Sequence, residues 1–434
     1  MSRRRFDRSN ALYERALRTI PLASQTFSKS AMQFVQGASP LFLERGDGCR
    51  VWDVDGNAYI DFVLGLLPVV LGYRDPDVDA AIRAQLDKGI SFSLATELEA
   101  TLAERLVDLI PCAEMVRFGK NGSDATSAAI RLARAATGRD RIALCGYHGW
   151  HDWYIGTTAR DLGVPAAVRA LSSRFPYNDA DALAALMQAD PDGFAAVILE
   201  PTGLEAPAPG FLEALRALCD RHGTLLIFDE IITGFRLSLG GAQAVYGVVP
   251  DLAAFGKAMG NGMPISSVVG RRAIMRWMED IFFSGTFGGE TLSLAAAIAT
   301  IDKLEARDAP ARFAAIGAKF KAGVGALLAE HGLEEAFRLV GGDWWPGIVA
   351  TGAGRTDAIT ANSLLRQELV AEGLLMGATF NLCLAHDDDG VIAETLTAWT
   401  RAAETVASAL ADDDPAARLR GAPIRPVFQV RSPK

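Results

Sequence analysis

The chain has little of what would tie it to a membrane, an oxidising compartment or a nucleic acid. Its longest apolar run, Phe62 to Leu71, is far short of the roughly 20 residues needed to cross a bilayer. The basic start Met1-Ser2-Arg3-Arg4-Arg5-Phe6-Asp7 is followed by no apolar stretch, so a Sec or twin-arginine leader is not expected. Five cysteines (Cys49, Cys112, Cys145, Cys219 and Cys383) are an odd number without CxxC spacing, which reads as reduced thiols rather than a disulfide framework. Positive charge is in deficit: 43 Lys and Arg against 52 Asp and Glu leave a net −9, which argues against nucleic acid as a partner. No repeat or low-complexity segment stands out. With 434 residues, half of them hydrophobic, the chain has ample material for a large core and two domains. A soluble cytoplasmic protein is the expectation.

From about residue 95 helical periodicity alternates with short apolar strands. Glu97 to Ile110, Asp124 to Ala136 and Gly210 to His222 read as helices. Val116 to Phe118, Arg141 to Cys145, Ala195 to Glu200 and Thr224 to Glu230 read as strands. This rhythm predicts an α/β fold with a mostly parallel sheet and helices on both faces. Earlier, Val51 to Asp61 reads as a hairpin around Asp55-Gly56-Asn57, after helical periodicity over residues 7 to 20. After the helix of residues 291 to 306 the character shifts to helices at 311 to 331, 357 to 372 and 391 to 410, with a strand at 347 to 351. The expected division is an N-terminal segment, 1–70, joining a C-terminal small domain, 311–434, around a large domain, 71–310. The tail from Ala411 on is expected to be an irregular surface extension.

Three places along this pattern carry chemistry. Phe118-Gly119-Lys120-Asn121-Gly122-Ser123-Asp124 leaves a strand and opens a helix, which turns backbone N–H groups toward a ligand edge and suits a phosphate. Alone, the same residues are an ordinary helix cap. Leu225 to Glu230 is a buried-strand pattern ending in two acids, Asp229 and Glu230. Lys257 lies in Ala254-Phe255-Gly256-Lys257-Ala258-Met259-Gly260, beside an apolar run. A lysine held against an apolar wall loses solvation and becomes a nucleophilic amine, and a strand-end aspartate can keep a heterocyclic nitrogen protonated. Together they are the parts a pyridoxal phosphate (PLP) enzyme needs. Read singly, Asp229 fits a salt bridge and Lys257 a solvated loop lysine. His148 and His151, in Tyr147-His148-Gly149-Trp150-His151-Asp152, have HxxH spacing, but zinc needs a third ligand in a chain with five histidines. No metal is expected there; an aromatic or histidine wall over a flat ring is.

Taken in order, these segments resemble the class III, fold-type I, PLP-dependent aminotransferases, in the branch of the glutamate-1-semialdehyde aminomutases. The resemblance runs from about residue 10 to 410. Leu41 to Gly48 with Trp52 to Gly56 is similar to the family's N-terminal hairpin, and Glu200-Pro201 to its Glu-Pro motif. Asp229-Glu230-Ile231-Ile232-Thr233-Gly234-Phe235-Arg236 is similar to its strongest signature. The resemblance implies a large domain with a mostly parallel seven-stranded sheet and a smaller α/β domain from both chain ends. It implies that Gly122 and Ser123 bind the phosphate, Tyr147 stacks on the pyridine ring, Asp229 binds the ring nitrogen and Ile231 packs on the ring. Lys257 is implied as the Schiff-base lysine and as general acid and base. Gly285-Thr286 is implied to reach the phosphate of a neighbouring subunit, hence a homodimer, although Thr286 alone also fits a helix cap. The implied activity is ping-pong transfer of an amino group from a donor to a carbonyl acceptor, with pyridoxamine 5'-phosphate as the intermediate form of the cofactor.

The pocket departs from the aminomutase pattern. Lys29 stands where the aminomutases have a carboxylate-binding arginine; it is a point charge without a bidentate fork, and it reads equally as a surface lysine. Leu66 stands in an aromatic position, Glu205 and Asn381 in those of an asparagine and a glutamate, and Gly288-Gly289-Glu290-Thr291 where Ser-Gly-Asn-Pro is common. These changes favour an aminotransferase, with an intramolecular aminomutase as the alternative. A non-catalytic relative is disfavoured by the retention of Lys257, Asp229 and Ser123. Gln25, Glu205 and Asn381 can hydrogen-bond a hydroxylated substrate and, with Lys29, are the candidate substrate residues. Trp344 and Trp345 either wall the pocket or belong to the core.

Overall fold

The runs Phe194–Leu199 and Leu225–Asp229 are buried almost throughout, as strands covered on both faces must be. Their place is in the larger of two units into which a computed structural model divides the chain; the structure describes residues 4–190 and 193–425. One unit comprises the described residues of Met1–Asp75 and Ala311–Val427, the other Pro76–Pro310.

The first unit begins with the helix Asp7–Ala16 and the strands β1 (Leu43–Asp47), β2 (Arg50–Asp53) and β3 (Ala58–Asp61), paired antiparallel in that order. The turn between β2 and β3 is set by Asp53. Its carboxylate accepts from the backbone N–H of Asp55 at 3.0 Å and of Asn57 at 2.8 Å, and from Tyr59 Oη at 2.8 Å. Gly56 supplies the positive φ, +88°, that the turn requires.

The second unit holds β4 (Met115–Gly119), β5 (Arg141–Cys145), β6 (Ser172–Arg174), β7 (Phe194–Leu199), β8 (Leu225–Asp229), β9 (Leu252–Phe255) and β10 (Ser266–Gly270). They form a seven-stranded sheet in the order β4-β10-β9-β8-β7-β5-β6. Pairs from β9 through β6 are parallel, and β10 runs antiparallel to both its neighbours. The mostly parallel sheet expected from the sequence is the one observed. The helix Gly122–Thr137 lays Ala128, Ala129, Leu132 and Ala133 against it; small side chains let helix and sheet approach closely.

The chain then returns to the first unit through the helix Ala309–Glu330, the hairpin β11 (Phe337–Val340) and β12 (Gly347–Ala350), and the helix Ala358–Ala371. There β13 (Leu374–Leu375) joins β3 in parallel, and the helix Asp389–Leu410 follows. Phe62, Phe320, Phe380 and Trp399 pack ring on ring at this unit's centre. The tail corrects an expectation. It is irregular, but Ile424 is buried, its N–H donates to Ser363 Oγ at 3.1 Å, and the Arg425 N–H donates to Met32 O at 2.8 Å. As far as Arg425 it is a packed strap; the residues beyond lie outside those described.

Ile198 lies fully buried in the central β7. Ile198→Ala should lower stability by about 2–5 kcal/mol through lost burial and the cavity left behind. A denaturation midpoint equal to wild type would show that this strand is not at the core.

Candidate active site

The register of the sheet decides which side chains meet. Cys145 pairs with Leu199, Leu199 with Phe228, and Asp229 with Ala254. The segments leaving these four strands, at Gly146, Glu200, Glu230 and Gly256, therefore emerge at one carboxyl edge. Because β10 is antiparallel, its first residue, Ser266, pairs with the last of β4, Gly119. The turn Gly119–Ser123 thus joins the same edge, where open α/β sheets take their ligands.

Lys257 follows β9 directly and is held at φ +40°, a conformation non-glycine residues rarely adopt. Such strain costs on the order of 1–3 kcal/mol and persists where the surroundings enforce it. Burial lowers its pKa from 10.5 to about 8; the charges of Glu200 and Asp229 oppose the drop and Arg236 adds to it. A larger neutral fraction than an ordinary lysine has at neutral pH follows, and the neutral form is the state in which an amine attacks or takes up a proton.

Asp229 is buried, and its Oδ2 lies 2.8 Å from His148 Nδ1. The other ring nitrogen of His148, Nε2, lies 2.9 Å from Cys145 O. A carbonyl can only accept, so Nε2 carries a hydrogen, and a further proton lies in the His148–Asp229 hydrogen bond. The Ile231 N–H donates to Asp229 Oδ1 at 3.2 Å. The adjacent acid, Glu230, turns the opposite way and is fully buried. It accepts from the Ala242 N–H at 2.7 Å, the Gln243 N–H at 3.0 Å and Thr233 Oγ1, which makes it a bracket for the following segment. Glu200 accepts from the Tyr147 N–H at 2.9 Å, and burial, then the charge of Asp229, push its pKa up.

The candidate phosphate turn is closely built. Asp124 Oδ2 accepts from the Asn121 N–H at 2.7 Å and the Lys120 N–H at 3.1 Å, which folds the turn onto the first turn of the helix. A Cβ on Gly122 would press on Ile231 Cδ1 at 3.2 Å, and one on Gly256 would meet the same atom at 3.1 Å. Gly122, Ile231 and the residue before Lys257 are therefore neighbours. A Cβ on Gly149 would lie 2.2 Å from Ser123 Oγ, the atom that accepts from the Trp150 N–H at 3.3 Å. Ser266 Oγ is buried and has no hydrogen-bond partner among the described residues.

The remaining sequence candidates are placed less uniformly. Tyr147 is half exposed, its ring edge-on to Tyr154 at 5.4 Å. Glu205 accepts from Asn178 Nδ2 at 2.8 Å and lines, with Glu200, Arg174 and Tyr177, a cavity of about 400 Å³. Thr286 is exposed on a loop that lines, with Lys120 and Asp124, a cavity of about 310 Å³. In the first unit, Gln25 and Lys29 are exposed, and Lys29 lines a cavity of about 430 Å³ with Asp61 and Tyr73. Asn381 is buried there with its amide engaged: Oδ1 accepts from Trp345 Nε1 at 2.8 Å and Nδ2 donates to Val63 O at 2.9 Å. Trp344 is buried. The HxxH pair diverges, His148 to Asp229 and His151 Nδ1 to Ser127 Oγ at 2.6 Å. Sequence reasoning missed His148 as the partner of Asp229, and missed Ser266 and the Lys120–Glu290 ion pair altogether. For His148 a signal existed, since it immediately follows the candidate stacking residue; for Ser266 there was none.

The family model described as aminotransferase class-III matches residues 33–342. The chain belongs to the class III aminotransferases. It is 43% identical over 347 residues to the 3-aminobutyryl-CoA aminotransferase of Cloacimonas acidaminovorans, covering 78% of this chain and 82% of that protein. It is 44% identical over 316 residues to the glutamate-1-semialdehyde 2,1-aminomutase of Syntrophobacter fumaroxidans, covering 69% and 72%. Among solved structures, the FumI protein of Sphingopyxis sp. MTA144, in its PLP internal aldimine form, superposes with a TM-score of 0.88 at 32% identity, covering 95% of this chain and all of that one. This class III aminotransferase therefore has the fold-type I architecture, and its relatives bear the names of both aminotransferases and aminomutases.

The accessibility of the Lys257 amine can be tested without any substrate. Labelling of Lys257 in the stripped full-length protein by a small acylating reagent, read by peptide mass spectrometry across pH, should rise through a midpoint near pH 8, because the reactive form is the deprotonated one. Glu200→Gln removes a charge that holds the pKa up and should move the midpoint lower. A midpoint at the ordinary lysine value would contradict the burial argument.

Proposed function

We propose that this class III aminotransferase is PLP-dependent and moves an amino group from a small-molecule donor to a carbonyl acceptor in two half-reactions. The observation that carries the proposal is the meeting, at one sheet edge, of a half-buried Lys257 with a lowered pKa and a buried Asp229 backed by His148. The residues present fit the cofactor on chemical grounds. They offer an amine, a buried acid, an apolar wall at Ile231, a helix start with Ser123, and a buried Ser266 hydroxyl without a partner.

When bound, PLP supplies an electrophilic carbonyl for the amine and a ring that draws electrons from the substrate's Cα. The Gly122 and Ser123 N–H groups, at the start of a helix, and Ser123 Oγ would hold the phosphate. Asp229, oriented by its hydrogen bond to His148, would hold a proton at the ring nitrogen. Ile231 and Tyr147 wall the ring. Lys257 would hold the cofactor through Nζ and, as a free amine, would take up and return the proton of the substrate's Cα, a role suited to its lowered pKa. Lys29, Gln25, Glu205 and Asn381 remain the substrate candidates. Glu205 is favoured by its cavity; Asn381 is disfavoured by its engaged amide.

The protein acts as a homodimer in this reading, with the Gly285-Thr286 loop reaching the neighbouring site. Support comes from the exposed Phe282 and Phe287 on that loop and from Leu94, also exposed in the same unit, since such surfaces are buried by a partner. A cytoplasmic place is supported by five free, buried cysteines. Among the described residues no helix is long and apolar enough to cross a membrane.

An intramolecular aminomutase is the second reading, supported by the relatives of that name. Incubation with an ¹⁵N-labelled amino donor and an unlabelled carbonyl acceptor separates the two. The aminotransferase reading predicts ¹⁵N in the acceptor and a matching amount of donor ketone or aldehyde. Isomerisation of an amino aldehyde, with no exchange from any donor, would establish the mutase instead.

A further inference from the structure

Lys120 and Glu290 join two segments that the proposed cofactor site uses separately. Lys120 lies in the candidate phosphate turn, and its Nζ is 3.0 Å from Glu290 Oε2; the two side chains are only 18% and 11% exposed. Glu290 is also the N-cap of the helix Thr291–Ala306. Its carboxylate accepts from the Leu292 N–H at 2.7 Å, the Ser293 N–H at 3.3 Å and Ser293 Oγ at 2.5 Å. Burial alone would raise its pKa, but the Ser293 and Lys120 hydrogen bonds, with the Leu292 N–H, outweigh this and hold it below the ordinary value. The pair is charged at neutral pH and shielded from much of the solvent that weakens surface pairs.

The loop before Glu290 needs such a tether. Ser284-Gly285-Thr286-Phe287-Gly288-Gly289 has three glycines, each with a large backbone entropy to lose on ordering. Arg117 Nη2 donates to Phe283 O at 3.1 Å and Arg131 Nη1 to Phe282 O at 2.9 Å, which anchors the loop's start. Its end passes close to the sheet and to the helix Glu97–Leu109: a Cβ on Gly288 would lie 3.3 Å from Phe118 O, and one on Gly289 would lie 2.7 Å from Glu99 Oε1. A side chain at Gly288 would crowd that carbonyl and one at Gly289 would have to move the Glu99 carboxylate, and Glu290 holds the segment from the far side.

We propose that the Lys120–Glu290 ion pair is a positioning clamp that presets the Thr286 loop in the orientation in which it reaches the neighbouring site, so that cofactor binding there need not order the loop. This rests on the cofactor reading above. Ordering a loop beforehand tightens binding because its entropy is not lost in the binding step. Neither residue touches the reacting atoms; both act through the loop.

Full-length protein stripped of cofactor is titrated with PLP, with Kd read from the quenching of protein fluorescence. Lys120→Met and Glu290→Gln should each weaken binding about tenfold, the double variant no more than either single one, and Lys120→Arg should bind within about twofold of wild type. Glu290→Gln keeps an oxygen for the helix cap, so it reports on the clamp even if Lys120→Met fails to fold. Thermal midpoints of the stripped variants separate loss of fold from loss of binding. Wild-type Kd in folded single variants, or losses that add in the double, would overturn the clamp. A wild-type protein that does not bind PLP would overturn the clamp and the cofactor reading together.

Discussion

Four ionisable groups, Lys257, Asp229, Glu200 and His148, are withdrawn wholly or partly from water at one edge of a parallel sheet, and the balance among them governs the site. Burial works against every charged form. Alone it would push the Lys257 amine down and the Glu200 carboxyl up. Their attraction returns part of the cost, so Lys257 settles near 8 rather than at the far lower value of an isolated buried lysine. The result is an amine held below the ordinary lysine value, beside an acid hydrogen-bonded to an imidazole. Strained backbone at Lys257 belongs to the same constraint, because the amine must emerge from the end of β9 in one direction.

The sheet makes the cluster possible. Parallel strands in register deliver their carboxyl ends to one line, and the single antiparallel strand β10 brings the phosphate turn to it as well. Each departure from the aminomutase pattern can be read against that scaffold. Glu205 lies at a cavity shared with Glu200, whereas Asn381 is bonded to Trp345 and Val63 within its own unit. Gly288-Gly289-Glu290 combines two close backbone approaches with a helix cap that is charged and paired.

Much of this was legible in the sequence, for physical reasons. Buried parallel strands are continuous apolar runs, and Phe194–Leu199 and Leu225–Asp229 declare themselves. Helix ends with strong caps were found to within a few residues. Pairing across long sequence distances was not legible. Nothing local joins His148 to Asp229, or Lys120 to Glu290, which are 81 and 170 residues apart. The division of labour in Asp229-Glu230 was hidden too, since adjacent residues at a strand end face opposite ways, one to the site and one to the interior. The tail misled because its prolines and acids look solvated, while Ile424 docks into a groove lined by Val35 and Ala38.

The central claim is that Lys257 is the amine that holds the cofactor. Borohydride reduction of the protein loaded with PLP, followed by peptide mapping, tests it most directly. The account predicts a pyridoxyl group fixed on the peptide containing Lys257 and on no other lysine, and none on that peptide in Lys257→Ala. Stoichiometric labelling at a different lysine, or none at all in protein that has bound PLP, would contradict it.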